Sequence, residues 1–156
     1  MKKNRKTSIV SQGILMLFIL ALTYGCKKND IKNYRTFYYA VHESDTAILS
    51  IGTHKDRFFG QYEIYYGNRS VKDSGNVEGT ISGDTLRGKF RYRAFGGTIN
   101  VKPIIFLKQQ EKLILGSGVT AIFMNIPYYM PGTIEFENSK FTFLKTSGDK
   151  NSQTLN

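Results

Sequence analysis

"NVEGTISGDTLRGKFRYRAF", residues 76–95, decides the fold. With Gly83 and Asp84 as a two-residue turn, Ile81 faces Leu86, Gly79 faces Gly88 and Val77 faces Phe90, while the other parity sets Glu78 opposite Lys89. Apolar meets apolar and acid meets base in a single register, which is what an antiparallel hairpin demands.

The same period of two runs through most of the chain beyond residue 33. "GTIEFENSKFTFLK", residues 132–145, predicts a second hairpin: with Asn138 and Ser139 as the turn, Phe136 pairs with Phe141, Ile134 with Phe143 and Glu137 with Lys140. Further strands are expected at 36–41, 47–51, 58–66, 100–107 and 113–118. No segment of this part shows a helical stripe. About nine strands joined by short polar connections predict an all-β fold. The expected form is an antiparallel meander making a small closed or nearly closed β-barrel of lipocalin-like size, because closure removes adhesive sheet edges. A two-sheet sandwich is the alternative.

The first 26 residues carry an address. Lys2, Lys3, Arg5 and Lys6 precede an apolar run from Ile14 to Leu22, and small or short residues lead to Cys26, the single cysteine. That order is the pattern of a secretory signal. The run is too short for a permanent span, since a ~30 Å hydrocarbon core takes about 20 apolar residues. Gly25-Cys26 resembles the lipobox of bacterial lipoproteins, in which cleavage before the cysteine leaves it acylated as the new amino terminus. The leucine usual three places before that cysteine is here Thr23, with Leu22 one place early, and Tyr24 is bulkier than the pattern prefers. The resemblance implies lipidation of Cys26, with palmitate-type chains. Ordinary secretion is the rival, and it would leave one unpaired thiol in an oxidising compartment.

The expected organisation is therefore a lipoprotein signal peptide at 1–25, a lipidated Cys26 with a tether to residue 33, a barrel domain at 34–145 and a polar tail at 146–156. Loss of the four basic residues of the signal lowers the formal charge from +10 to about +6. Such a surface is drawn to anionic lipids and glycans, and a secreted chain has no nucleic acid to meet. Without a second cysteine, no disulfide braces the core.

"DTAILSIG", "GNVEGTISGDTLRGKF" and "IIFLKQQEKLILGSG" are similar to strand-and-turn segments of small, uncharacterised cell-envelope lipoproteins of Bacteroidetes-type bacteria. The resemblance covers roughly residues 34–118. It implies an all-β domain held at the outer membrane and no activity. Asp30 alone represents the acidic stretch that follows the cysteine in surface-exported members, so the periplasmic face is expected over the cell surface.

Chemistry is sparse. "HESD", residues 42–45, contains triad letters, but neighbours in one strand or turn cannot converge on one atom, so a turn is the expected reading. No His pair, Cys pair or carboxylate cluster has metal-ligand spacing, and no cofactor motif occurs. Arg87, Lys89, Arg91 and Arg93 fall on one strand face at ~6.6 Å intervals, a candidate anion-binding ladder or a plain solvated face. Tyr62, Tyr66 and Tyr92 point to the interior. With Met124, Tyr128, Tyr129 and Met130 of the irregular segment 121–132, they are candidates for an apolar ligand site and its lid. The interior is either filled or a cup. Asp45-Thr46-Ala47 and Asp84-Thr85-Leu86 resemble the Asp-Thr-apolar acceptor of periplasmic O-glycosylation, which makes Thr46 and Thr85 candidates. The expected function is non-enzymatic binding of an anionic glycan or lipid, or of a small apolar ligand, by a membrane-anchored envelope protein. The alternative is a structural or assembly subunit that meets an envelope protein partner.

Overall fold

A computed structural model of the chain describes residues 35–67 and 70–146. The signal segment, Cys26, the tether and residues 147–156 lie outside the described residues. Ten strands follow one another: β1 (Arg35–His42), β2 (Asp45–His54), β3 (Arg57–Tyr66), β4 (Val71–Ser82), β5 (Thr85–Arg93), β6 (Ile99–Gln109), β7 (Lys112–Leu115), β8 (Thr120–Phe123), β9 (Ile126–Tyr129) and β10 (Thr142–Thr146). Eight of them close an antiparallel barrel in the order β1-β10-β7-β6-β5-β4-β3-β2, and β8 and β9 form a separate hairpin. Closure rules out the two-sheet sandwich. β10 runs one residue past the expected domain end at 145.

The β4–β5 pairing is the one expected: Ile81 opposes Leu86, Gly79 opposes Gly88, Val77 opposes Phe90 and Glu78 opposes Lys89. A Cβ on Gly88 would come 2.0 Å from the Glu78 carbonyl oxygen, and one on Gly79 2.6 Å from Gly88 Cα. Only glycine lets the two backbones approach this closely where the sheet curls, and Phe58 lies over the bare spot, 2.7 Å from where the Gly79 Cβ would be.

The expected hairpin over 132–145 is corrected. Phe143 pairs with Leu113 of β7, and Leu144 on the other side of β10 pairs with Tyr39 of β1. Glu135 instead bridges to Ser117, and the Ser139 hydroxyl donates to the Leu115 carbonyl at 2.6 Å. Alternation fits both arrangements. The barrel arrangement wins because β10 fills the gap between β7 and β1, buries Phe141 and Phe143 completely, and leaves no open edge.

The inward parity supplies a filled core. Tyr62, Phe90, Phe106 and Phe143 touch as rings, with centroids 4.7 Å apart for Tyr62 and Phe90 and 5.8 Å for both Tyr62–Phe143 and Phe106–Phe143. Leu49, Ile51, Phe58, Val77, Ile104 and Leu113 complete the packing. An eight-strand barrel is just wide enough for such filling. The outward parity carries Lys72, Glu78, Arg87, Lys89, Arg91 and Arg93, the reverse of a membrane-spanning barrel, whose outer band is apolar. Among the described residues no helix is long and apolar enough to cross a membrane.

The two ends differ. One is closed by three two-residue turns, Lys55–Asp56, Gly83–Asp84 and Gln110–Glu111, and each is stitched to the next strand. The carbonyls of Asp56, Asp84 and Glu111 accept the amide protons of Ile81, Lys108 and Lys145 at 2.7, 2.7 and 3.1 Å. The other end holds the Glu43–Ser44 turn, the end of β3 and the start of β4, the connection from Ala94 to Thr98, and the long β7–β10 connection with its hairpin. This end is the mouth.

Candidate functional site

Four strands bring polar side chains into the mouth just above the aromatic core. Counting inward positions up β3 gives Tyr62, Ile64 and Tyr66. β4 places Asp73 opposite Ile64, β5 places Tyr92 opposite Gly75, and β6 places Lys102 opposite Phe90. Tyr129 of β9 leans in from the connection above, half-buried, and its phenol acts electrostatically on that of Tyr62.

The Tyr66 hydroxyl donates to Asp73 Oδ2 at 2.9 Å, which occupies one acceptor of a buried carboxylate. Lys102 Nζ lies 5.4 and 5.1 Å from the ring centroids of Phe90 and Tyr92, which stack at 4.6 Å and 16°. Among the described residues it has no carboxylate within ion-pair distance. Burial lowers the basicity of its ammonium; Asp73 acts in the opposite sense, and Lys140 adds to the lowering. The core lies directly beneath: Tyr62 is fully buried, yet its hydroxyl has no hydrogen-bond partner among the described residues. Burial pushes its phenol well up, and Tyr66, Tyr129 and Asp73 add to the effect.

The rim is braced. Asp45 accepts from Lys140 Nζ at 2.8 Å and from the Gly67 amide at 3.0 Å, and these two hold its carboxyl below the usual range. Lys140 also sits over the rings of Tyr66 and Phe141. Chemically the mouth offers one desolvated ammonium, one carboxylate, four phenols and a stacked aromatic wall. Among the described residues no three His, Cys, Asp or Glu side chains gather as a metal site.

The ligand-site candidates divide. Tyr62, Tyr66, Tyr92 and Tyr129 converge on the mouth, whereas Met124, Tyr128 and Met130 are exposed on the hairpin and its flank. Asp73, Lys102 and the Asp45–Lys140 brace were missed from sequence. The signal for Lys102 was parity: Ile104 and Phe106 inward on β6 carry Lys102 inward with them.

Arg87, Lys89, Arg91 and Arg93 stand exposed on the outside of β5, with Lys89 paired to Glu78 at 3.1 Å and Arg93 Nη1 donating to the Gly97 carbonyl at 3.5 Å. They belong to a different surface from the mouth. "HESD" is the β1–β2 turn: His42 pairs with Asp45 across it and packs its ring edge against Phe141 at 6.3 Å. Thr46 is buried and Thr85 half-buried beside its turn. An acceptor hydroxyl must be reachable, which leaves Thr85 as the better placed glycan candidate. The chain matches no protein-family model, no curated protein and no solved structure.

Proposed function

We propose that this chain is a lipid-anchored protein of a bacterial cell envelope, of the Bacteroidetes type, and that its barrel binds a small carboxylate-bearing amphiphile at the mouth without transforming it. The observation that carries the reading is the Tyr62 hydroxyl, buried without a hydrogen-bond partner among the described residues, under a mouth in which Lys102 lies over the Phe90 and Tyr92 rings. A buried phenol left unsatisfied costs about 1–3 kcal/mol, and a half-buried ammonium without a close counter-ion costs more than a solvated one. A ligand that accepts from Tyr62 and lies against Lys102 relieves both. The stacked Phe90–Tyr92 wall and the Tyr129 ring would take its apolar body, as ligand pockets pair apolar walls with a few convergent polar groups.

Anchoring rests on the sequence around Cys26, since several acyl chains on one residue give stable attachment where one does not. β1 begins at the stitched end of the barrel, so the chain enters opposite the mouth. The runner-up reading, an assembly subunit, would have to use β8–β9, because closure leaves the barrel no free edge.

Two experiments test the proposal. Titration calorimetry with decanoate as probe is expected to show saturable binding that falls at least tenfold in Tyr62→Phe and in Lys102→Met, with decylamine not binding. Equal binding by both variants, or preference for the amine, would refute the mouth reading. Labelled palmitate should enter the wild-type protein in cells and not Cys26→Ser; label in both, or in neither, would refute the anchor.

A further inference from the structure

The β8–β9 hairpin has a second property that the mouth does not require. Its tip exposes Ile122, Phe123, Met124 and Ile126 at 72, 67, 80 and 60 % of their surface. Monomeric proteins rarely leave so many large apolar side chains together in water without use. From Gly116 to Ile134 the sequence has no charged residue.

The other tight turns show how unusual this is. Glu43–Ser44, Lys55–Asp56, Gly83–Asp84 and Gln110–Glu111 all present polar or charged tips, and their positive-φ positions go to Glu43, Lys55, Gly83 and Gln110. At the hairpin tip both central residues have positive φ, 49° for Met124 and 62° for Asn125. Asn-Gly or Asp-Gly would fit such a turn at least cost. Met124 gains nothing from the geometry and is not part of the core, so its side chain is there for what lies outside.

The surroundings indicate the partner. β9 lies against β6. On the outer face of β6, Ile99 and Val101 are exposed, and their cross-strand partners on β5 are Arg93 and Arg91. An uncharged apolar hairpin thus lies against a strand whose neighbour carries two outward guanidiniums, on a domain of net positive charge. That layering complements an anionic bilayer, acyl chains inward and phosphates at the border, and uncharged apolar segments with basic flanks bind such interfaces. We propose that the hairpin tip inserts into the interfacial region of an anionic phospholipid bilayer, with Arg91 and Arg93 on the headgroups. This is independent of whether the mouth takes a ligand.

The unit Asn33–Asn156 contains the whole closed barrel and its core, so it serves as the test protein free of leader and anchor. The chain has no tryptophan, which makes Phe123→Trp a single reporter at an exposed position. With vesicles of equal parts phosphatidylglycerol and phosphatidylcholine, its emission should shift to the blue and be quenched by bromine-labelled acyl chains. The shift should weaken several-fold on pure phosphatidylcholine and in Arg91→Glu/Arg93→Glu. Met124→Asp in the same reporter should reduce vesicle partitioning at least tenfold while the barrel's melting temperature stays put. Emission unmoved at saturating vesicle concentration, or vesicle binding with the tryptophan still open to aqueous quencher, would overturn the proposal. So would a shift produced by an envelope protein fraction and not by vesicles, since it would make the tip a protein-docking site.

Discussion

The stitched end and the mouth of the barrel are built from the same strands and have opposite polar economies. At the stitched end one carbonyl of each turn accepts an amide proton from the neighbouring strand, and each solvated tip carries at least one charged residue. At the mouth a phenol is buried without a partner among the described residues, an ammonium is half-buried over two rings, and the nearest connection ends in four exposed apolar side chains. Satisfied groups stabilise a fold; unsatisfied ones are kept where something else is to be met. Fold and proposed function thus draw on different ends of this molecule.

Core and mouth should be separable by substitution. Phe143→Ala removes a ring packed against Tyr62, Phe106 and Phe141 and should cost about 3–5 kcal/mol in urea unfolding. Gly88→Ala, near the stitched end, should cost about 3 kcal/mol, because the new methyl meets backbone that can only move by uncurling the sheet. If Gly88→Ala folds, it should still bind decanoate with wild-type affinity when measured well below its melting point. Affinity lost in proportion to stability would mean that the mouth is only a readout of the core.

The mouth should respond in the opposite sense. Lys102→Met is expected to stabilise the free protein by about 1 kcal/mol while abolishing carboxylate binding, as substitutions at functional sites commonly do. A drop in melting temperature would show that the ammonium is already satisfied in the free protein.

The smallest effect is expected on the outer wall, at neither end. Tyr65 and Ser74 hydroxyls donate to Glu63 at 2.6 and 2.9 Å, and Lys72 stands 3.6 Å away. Burial on its own would raise this carboxyl, and the hydrogen bonds and the lysine outweigh it, so the folded value lies below the unfolded one. Stability from Glu63 is therefore present above the unfolded value near pH 4.3 and lost as pH falls through the lower folded value. Because the carboxyl is only part-buried and open to solvent screening, the contribution should stay under about 1 kcal/mol. Glu63→Gln should flatten the acid limb of the stability curve and leave the neutral plateau nearly unchanged; an unchanged acid limb would count against the assignment.

Much of the barrel was legible in sequence because residues 76–95 carry two independent parities that agree, apolar with apolar and Glu78 with Lys89. Residues 132–145 carry the same alternation and misled, since alternation fixes which face a residue joins and not which strand lies beside it. Phe141 and Phe143 belong to the core in either pairing, and only closure between β7 and β1 chooses. The mouth was half legible. Tyr62, Tyr66 and Tyr92 follow from parity, but Asp73 sits in a stretch of Val71 to Gly75 with weak strand propensity, and Lys102 lies among apolar residues on both parities. Parity with Ile104 and Phe106 carries Lys102 inward, but its meeting with Asp73 and the tyrosines depends on registers across several strands, which no local pattern encodes.

The central claim is that the mouth, and not the stitched end or the outer ladder, is where this protein meets a ligand. The most direct measurement is a residue-resolved nuclear magnetic resonance titration of Asn33–Asn156 with decanoate. Shifts should concentrate at Tyr62, Tyr66, Asp73, Tyr92, Lys102 and Tyr129, with the turns at Asp56, Asp84 and Glu111 unmoved. No saturable shifts, or shifts centred on Arg87 to Arg93 or on the stitched turns, would contradict it.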